Sequence, residues 1–248
     1  MPVNHRLALR LLVVLAALTG LAACHPRPPG ATVHDPFEST NRAWFDTNLA
    51  LERALLPATD RPAGPPAPSP ARRTIRNVAD NLSTPRYVVN DLLQARPAQA
   101  LVNGWRFVIN TTVGLGGLFD PAGALGLTGR PNDFGATLHV WGVNEGAYKV
   151  LPLFGPSTER DAAGMVVDAF LDPLNMVLST NERAGAFVLR QSGRIADRIE
   201  YADILEATVL QSADPYVQAR LVYLQNRRHF LGEAREEEFI DPYADFDD

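Results

Sequence analysis

Pro97-Ala98-Gln99-Ala100-Leu101-Val102-Asn103-Gly104-Trp105-Arg106-Phe107-Val108-Ile109-Asn110-Thr111-Thr112-Val113 is the stretch that decides the fold. Asn103, Arg106 and Asn110 recur at i, i+3 and i+7, which draws one narrow polar stripe along a helix. Leu101, Val102, Trp105, Val108, Ile109 and Val113 cover much of the remaining surface. A helix that apolar is either central to a fold or turned toward lipid. Residues 114–127 follow, with five glycines and no charge except Asp120, an apolar and bendable segment. A nucleotide fingerprint needs glycine at the sixth place from Gly114, where Phe119 stands, and no strand precedes it.

Working outward, the helical period dominates. Helices are predicted over 38–56, after the start signal Asp35-Pro36, over 72–82, and over 85–95 behind the capping pair Ser83-Thr84. Beyond a turn-rich stretch to Pro156, further helices cover 157–171 and most of 181–210. The latter has an apolar face through Val188, Ile195, Ile199, Ala202 and Val209, with Arg190, Arg194, Asp197 and Arg198 elsewhere. A last helix spans 215–231, with Val217, Leu221 and Leu224 on its apolar side. Between the first two helices, residues 57–70 hold six prolines in 14 positions and read as an extended arm. The fold class is mostly α, without an internal repeat.

The chain has 248 residues, 46% hydrophobic and 21% charged, which suits one domain or two with a real core. Basic residues number 23 against 28 acidic ones, which argues against a nucleic-acid partner. The tail 233–248 carries eight acids against Arg235 and reads as disordered, leaving residues 24–232 balanced in charge. No mature stretch has 18 uninterrupted apolar residues, and no ten-residue alternating strands of an outer-membrane barrel recur.

Residues 1–23 read as a secretory signal, with Arg6 and Arg10 ahead of the apolar run 11–18. Leu21-Ala22-Ala23-Cys24 resembles a bacterial lipobox, and Cys24 is the chain's one cysteine. The resemblance implies a diacylglycerol on the Cys24 thiol, an acyl chain on its new amine and no other cofactor. The alternative is an ordinary signal cut beside a chance cysteine. Two or three acyl chains, at about 0.8 kcal/mol per buried CH₂, hold a protein to its membrane. His25 rather than Asp after the cysteine favours the outer membrane by the same resemblance, with 24–34 as a tether.

Catalytic patterns are thin. No G-x-S-x-G, H-E-x-x-H or Walker sequence occurs, and one cysteine excludes a multi-cysteine metal site. His139 reads as a packed or surface residue. Arg160, Asp161 and Asp168 read as polar groups of a site or, more plainly, as helix-surface or capping charges. Trp44, Trp105 and Trp141 suit either interfacial anchoring or core packing.

Motifs along 35–230 resemble the MlaA/VacJ family of outer-membrane lipoproteins. The match opens with Asp35-Pro36-Phe37-Glu38, Asn41-Arg42 and Phe45, and continues through Asn81-Leu82, Pro85, Asn90, Leu92-Leu93-Gln94 and Arg106-Phe107. Asn110-Thr111, Gly114, Gly116-Gly117 and Asp120-Pro121-Ala122-Gly123 form its centre, followed by 133–138, Gly155-Pro156-Ser157 and Arg160-Asp161. Asp214-Pro215-Tyr216, Arg220, Tyr223-Leu224-Gln225 and Arg227 close it. The resemblance assigns 35–232 to one helical domain and implies a ring of helices with an amphipathic central channel, embedded in one leaflet. It implies a trimeric porin and the periplasmic lipid carrier MlaC as partners, a place on the periplasmic face of the outer membrane, and transfer of misplaced phospholipid without catalysis. The expected lipid path passes Asn103, Arg106, Asn110 and Asp120, with Leu115, Leu118 and Phe119 against lipid and Arg160 and Asp161 as further candidates. A lipolytic enzyme and a purely structural porin-bracing lipoprotein are the rival readings.

Overall fold

The computed structural model describes residues 33–55 and 69–232. The expected signal 1–23, Cys24, nearly all of the tether 24–34, most of the arm 57–70 and the tail 233–248 lie outside the described residues. Helix α1 (Glu38–Leu55) precedes α2 (Pro70–Leu93), α3 (Pro97–Thr112), α4 (Pro121–Ala124) and α5 (Phe134–Val140). A hairpin of β1 (Tyr148–Leu151) and β2 (Gly155–Thr158) leads into α6 (Glu159–Leu171) and α7 (Leu174–Val177). Helix α8 (Thr180–Glu200), a short α9 (Ala202–Leu205), a π-turn (Glu206–Leu210) and α10 (Pro215–Leu231) complete the described chain.

Capping chemistry explains most of these boundaries. Asp120, Asp133, Thr158 and Asp214 each accept a backbone N–H of the helix they open. Ser179 and Glu182 form a reciprocal capping box on α8. Gly232 ends α10 at φ 78°, a conformation that suits a residue without Cβ.

Two expected element boundaries need correction. The predicted helices 72–82 and 85–95 are one helix, with Pro85 in its interior. Ser83 and Thr84 do not cap; their hydroxyls donate back to the carbonyls of Ala79 and Asp80 at 2.8 Å. The stretch read as turns also contains the hairpin, whose four-residue strands are too short to show a period and include Gly155-Pro156. Its open edge is closed by α1 through side chains. The Asn41 amide accepts from Val150 N–H at 2.9 Å and donates to Tyr148 C=O at 3.0 Å. Asn48, two turns on, does the same for Leu153 N–H and Leu151 C=O, both at 2.9 Å. Two amides thus stand in for a third strand.

The packing is inverted relative to a water-soluble globule. Half of the buried apolar residues among the described ones are alanines, while Asn90, Asn103, Asp91, Arg160, Asp168 and Asp172 are all at most 3% exposed. Large apolar side chains face outward instead: Leu101, Trp105 and Val108 form one stripe of α3, and Val188 and Ile195 of α8 are likewise exposed. The apolar face expected on α8 is therefore not its packing face. Small residues make that contact: a Cβ on Gly193 would come within 2.5 Å of Ala79 Cβ. Similarly, a Cβ on Gly164 of α6 would meet the backbone of Gly135 of α5 at 2.4 Å.

The polar interior is held by internal pairing. Arg227 of α10 donates to both oxygens of Asp133 at 2.7 and 2.8 Å and to both oxygens of Asp161 at 2.7 and 2.9 Å. Tyr223 adds a hydrogen bond to Asp161 at 2.8 Å. Burial works against ionisation of Asp133, but the hydrogen bond and charge of Arg227 outweigh it and hold the carboxyl below its usual range. Near the other end of α10, Asp35 accepts from Arg220 at 2.6 Å, from Asn41 at 2.8 Å and from the Tyr216 hydroxyl.

Breaking the first of these clusters strands two carboxylates. Arg227→Met is expected to lower stability by about 3–5 kcal/mol, the usual cost of removing one partner from a buried charge cluster. Thermal unfolding followed by circular dichroism in a mild non-ionic detergent measures it.

Candidate functional site

A cavity of about 1290 Å³ opens between α2, α6 and α8, with Leu151 and Phe154 of the hairpin turn at its edge. Helical spacing places its lining. Arg76, Asp80, Ser83, Arg86 and Tyr87 lie on one face of α2, and Ala162, Met165, Val166 and Ala169 on one face of α6. On α8, Arg183, Ala184, Phe187, Arg190, Gln191 and Arg194 repeat at three- and four-residue intervals. Five arginines and four aspartates share the wall with four phenylalanine and methionine side chains, so the space is amphipathic.

Several of these charges are already paired. Arg76 meets Glu200 at 2.9 Å and Asp197 at 3.4 Å. Arg190 meets the buried Asp172 at 2.6 Å and donates to Leu82 C=O. Burial, with Asp197 nearby, raises the Asp80 carboxyl above its ordinary value. Burial also pushes the Asp168 carboxyl up to about 6, against the pull of Arg86 and of hydrogen bonds from Phe134 N–H at 3.1 Å and Asn90 at 2.8 Å. A second cavity of about 840 Å³ is also lined by Arg76 and Asp80, together with Leu118, Phe119 and Asp120. The two spaces thus share the same pair of α2 side chains. Among the described residues, no group of three or more His, Cys, Asp or Glu side chains is placed to hold a metal. The arrangement suits reversible capture of a molecule with both polar and apolar parts.

The expected path residues fall in three places. Asn103, Arg106 and Asn110 turn toward the glycine-rich loop and the segment after it. Asn103 donates to Asp91 at 2.7 Å and to Arg130 C=O at 3.1 Å. Arg106 holds Leu127 C=O and Asp120, and Asn110 bridges Asp120 and the Ala122 N–H. The polar stripe fastens this segment, and none of the three lines either cavity described above. Leu118, Phe119 and Asp120 line the smaller cavity, while Leu115 is exposed and lines neither cavity. Arg160 and Asp161 are buried and outside both cavities: Arg160 reaches Val143 C=O and His139, and Asp161 takes Arg227. The helix-surface reading of Arg160, Asp161 and Asp168 is corrected, because all three are buried. Trp44, Trp105 and Trp141 are all exposed.

Sequence reasoning missed the α2 wall. Its signal was present, since Arg76, Asp80, Ser83, Arg86 and Tyr87 share one helical face. Ending the helix before Pro85 cut that register in two.

The sequence model of the family described as MlaA lipoprotein matches residues 33–230. A protein of Escherichia coli, named intermembrane phospholipid transport system lipoprotein MlaA, is 34% identical over 209 residues, 82% of this chain and 80% of its own. A Haemophilus influenzae protein of the same name is 32% identical over 223 residues, covering 88% and 87% of the two chains. The fold also resembles a solved chain described as "structural basis for maintenance of bacterial outer membrane lipid asymmetry". That match has TM-score 0.61 and 31% identity, and covers 79% of this chain and 98% of that one.

Asp168 gives the cavity wall a measurable pH signature. A carboxyl whose pKa is about 6 in the fold and 3.8 as a free group binds more proton folded than unfolded between those values. Its contribution to stability is therefore most favourable at low pH and declines as pH rises through this window. Asp168→Asn removes that slope. Its stability relative to wild type should rise by about 2 kcal/mol from pH 4 to pH 7, measured by denaturation at each pH.

Proposed function

Because this chain belongs to the MlaA lipoprotein family, we infer that it transports phospholipid and so maintains the lipid asymmetry of the bacterial outer membrane. The observation that carries this reading is the amphipathic cavity inside a shell whose exposed face is rich in large apolar side chains. A phospholipid needs a polar lining for its headgroup and an apolar one for its tails, and this molecule offers both within one cleft. Among the described residues no helix is long and apolar enough to cross a membrane. An apolar belt of single-leaflet depth then accounts for the exposed Leu101, Trp105, Phe119 and Trp141.

The finer reading follows the same physics. Acyl chains on Cys24 hold the protein to the outer membrane, with its polar side on the periplasmic face. Phospholipid misplaced in the outer leaflet enters the cavity headgroup first and leaves, intact, to the periplasmic carrier MlaC. A trimeric porin gives the protein a rigid wall to lean against and access to lipid at its rim. Leu115, Leu118 and Phe119 meet acyl chains beside this route, and Asp120 marks its polar side. The chain acts by binding and release, without covalent change to the lipid.

Cells lacking the gene test this directly. Intact phospholipid should accumulate in the outer leaflet, measured by surface labelling, and wild type should reverse it. Cys24→Ala and the cavity-filling Ala184→Trp should restore it poorly at unchanged protein level. Release of lysophospholipid by the purified protein would favour a lipolytic enzyme. Porin association without any lipid accumulation would favour a bracing role.

A further inference from the structure

Arg86 and Arg194 project from α2 and α8 into the same cavity, and their charges are not both answered from within the protein. Arg194 has no carboxylate partner among the described residues. Its guanidinium lies 5.9 Å from the centre of the Phe154 ring. After burial itself, the largest influence on its ionisation is another cation, Arg86, and together they hold its pKa below the ordinary value. Arg86 stands 4.0 Å from Asp168, beyond hydrogen-bond reach, and its buried Nε has no hydrogen-bond partner. Burial works against the Arg86 charge, but the carboxylates of Asp168, Asp172 and Asp133 outweigh it and hold the pKa above its ordinary value. Asp172 is itself taken by Arg190 at 2.6 Å, and none of the three carboxylates is within hydrogen-bond reach of Arg194. Two guanidinium groups facing one space with a shortfall of anion are the geometry that a phosphate or phosphodiester completes through charge-assisted hydrogen bonds.

We propose that Arg86 and Arg194 form an anion site within the cavity that takes the phosphodiester of a phospholipid. The proposal rests on the transport reading above and names the part of the substrate that the protein reads. Phe154, Val166 and Phe187, all partly exposed on the same wall, lie where the glycerol and the first acyl carbons would follow. That apolar surround favours a phosphodiester carrying tails over free phosphate. Neither arginine contacts the headgroup's variable group in this arrangement, so the site reads the phosphate shared by all glycerophospholipids.

The test is equilibrium binding to the full-length lipidated protein in non-ionic detergent, with retained lipid measured by native mass spectrometry. Three probes are used: phosphatidylglycerol, diacylglycerol of the same chains, and inorganic phosphate. Wild type should bind phosphatidylglycerol best. Arg86→Gln and Arg194→Gln should each weaken that binding by about tenfold and the double variant further, while diacylglycerol binding is unchanged. Arg198→Gln, on the same helix but paired with Glu52 outside the cavity, should match wild type and control for folding. Arg86→Lys and Arg194→Lys, which retain charge, should recover part of the affinity. Equal binding of phosphatidylglycerol by wild type and the glutamine variants overturns the site while leaving transport in place. So does inorganic phosphate binding as tightly as the lipid, because the site would then read a free ion. Absence of any lipid binding by wild type, with no lipid accumulation in the deleted cells, overturns the transport reading itself.

Discussion

Arg227, clamped between Asp133 and Asp161, is the contact on which the interior depends. It ties the last helix to the caps and first turns of two others, so three distant segments of chain share one charge cluster. Such a cluster is costly to dehydrate unless every oxygen is answered, and here both carboxylates are met on both oxygens. The reason to build it is the exterior. A chain that turns Leu, Trp and Val outward has little apolar bulk left for its core, and alanines with two small clusters around Phe134 and Tyr148 are what remain. Polar pairing then supplies the specificity that large side chains give a water-soluble fold.

The same economy of bulk shapes the walls of the cavity. Helix α8 approaches α2 closely because Gly193 faces Ala79, and α6 approaches α5 because Gly164 faces Gly135. Ala79 and Gly193 themselves line the cavity, and around this close contact the longer arginine, aspartate and phenylalanine side chains border open space. The loop 114–120 is anchored rather than loose: Asn81 packs under Gly117, and Asn110 and Arg106 hold Asp120. A segment with apolar tips and a hydrogen-bonded base presents Leu115 and Phe119 outward without collapsing onto the polar wall.

Much of this is legible in the sequence. The helical class, the end of α3 at residues 112–113 and the bounds of α10 follow from period and from proline and glycine signals. What escaped has physical causes. Pro85 sits inside α2 because tertiary contacts on both sides keep the helix running past a residue that lacks an N–H. The hairpin escaped because its four-residue strands are too short to show a period and its open edge is closed by asparagine amides, which no strand pattern records. The polar stripe of α3 was read correctly as a stripe, but a stripe can face a lumen or another segment. Only the position of Asp120 shows that it faces the loop.

That distinction bears on how a polar headgroup crosses an apolar protein. Asparagines and arginines that bond to backbone carbonyls and caps, as Asn103 and Arg106 do, are spent: moving them to meet a ligand would leave buried groups unanswered. A route for a charged headgroup must therefore run past side chains whose hydrogen bonds are incomplete and whose surroundings admit solvent. The proposed headgroup site between α2 and α8 meets that condition, with the buried Arg86 Nε left without a hydrogen-bond partner. The helix most conspicuous in the sequence fastens the loop, and the passage we propose runs instead between two helices whose polar faces are interrupted by aromatic rings.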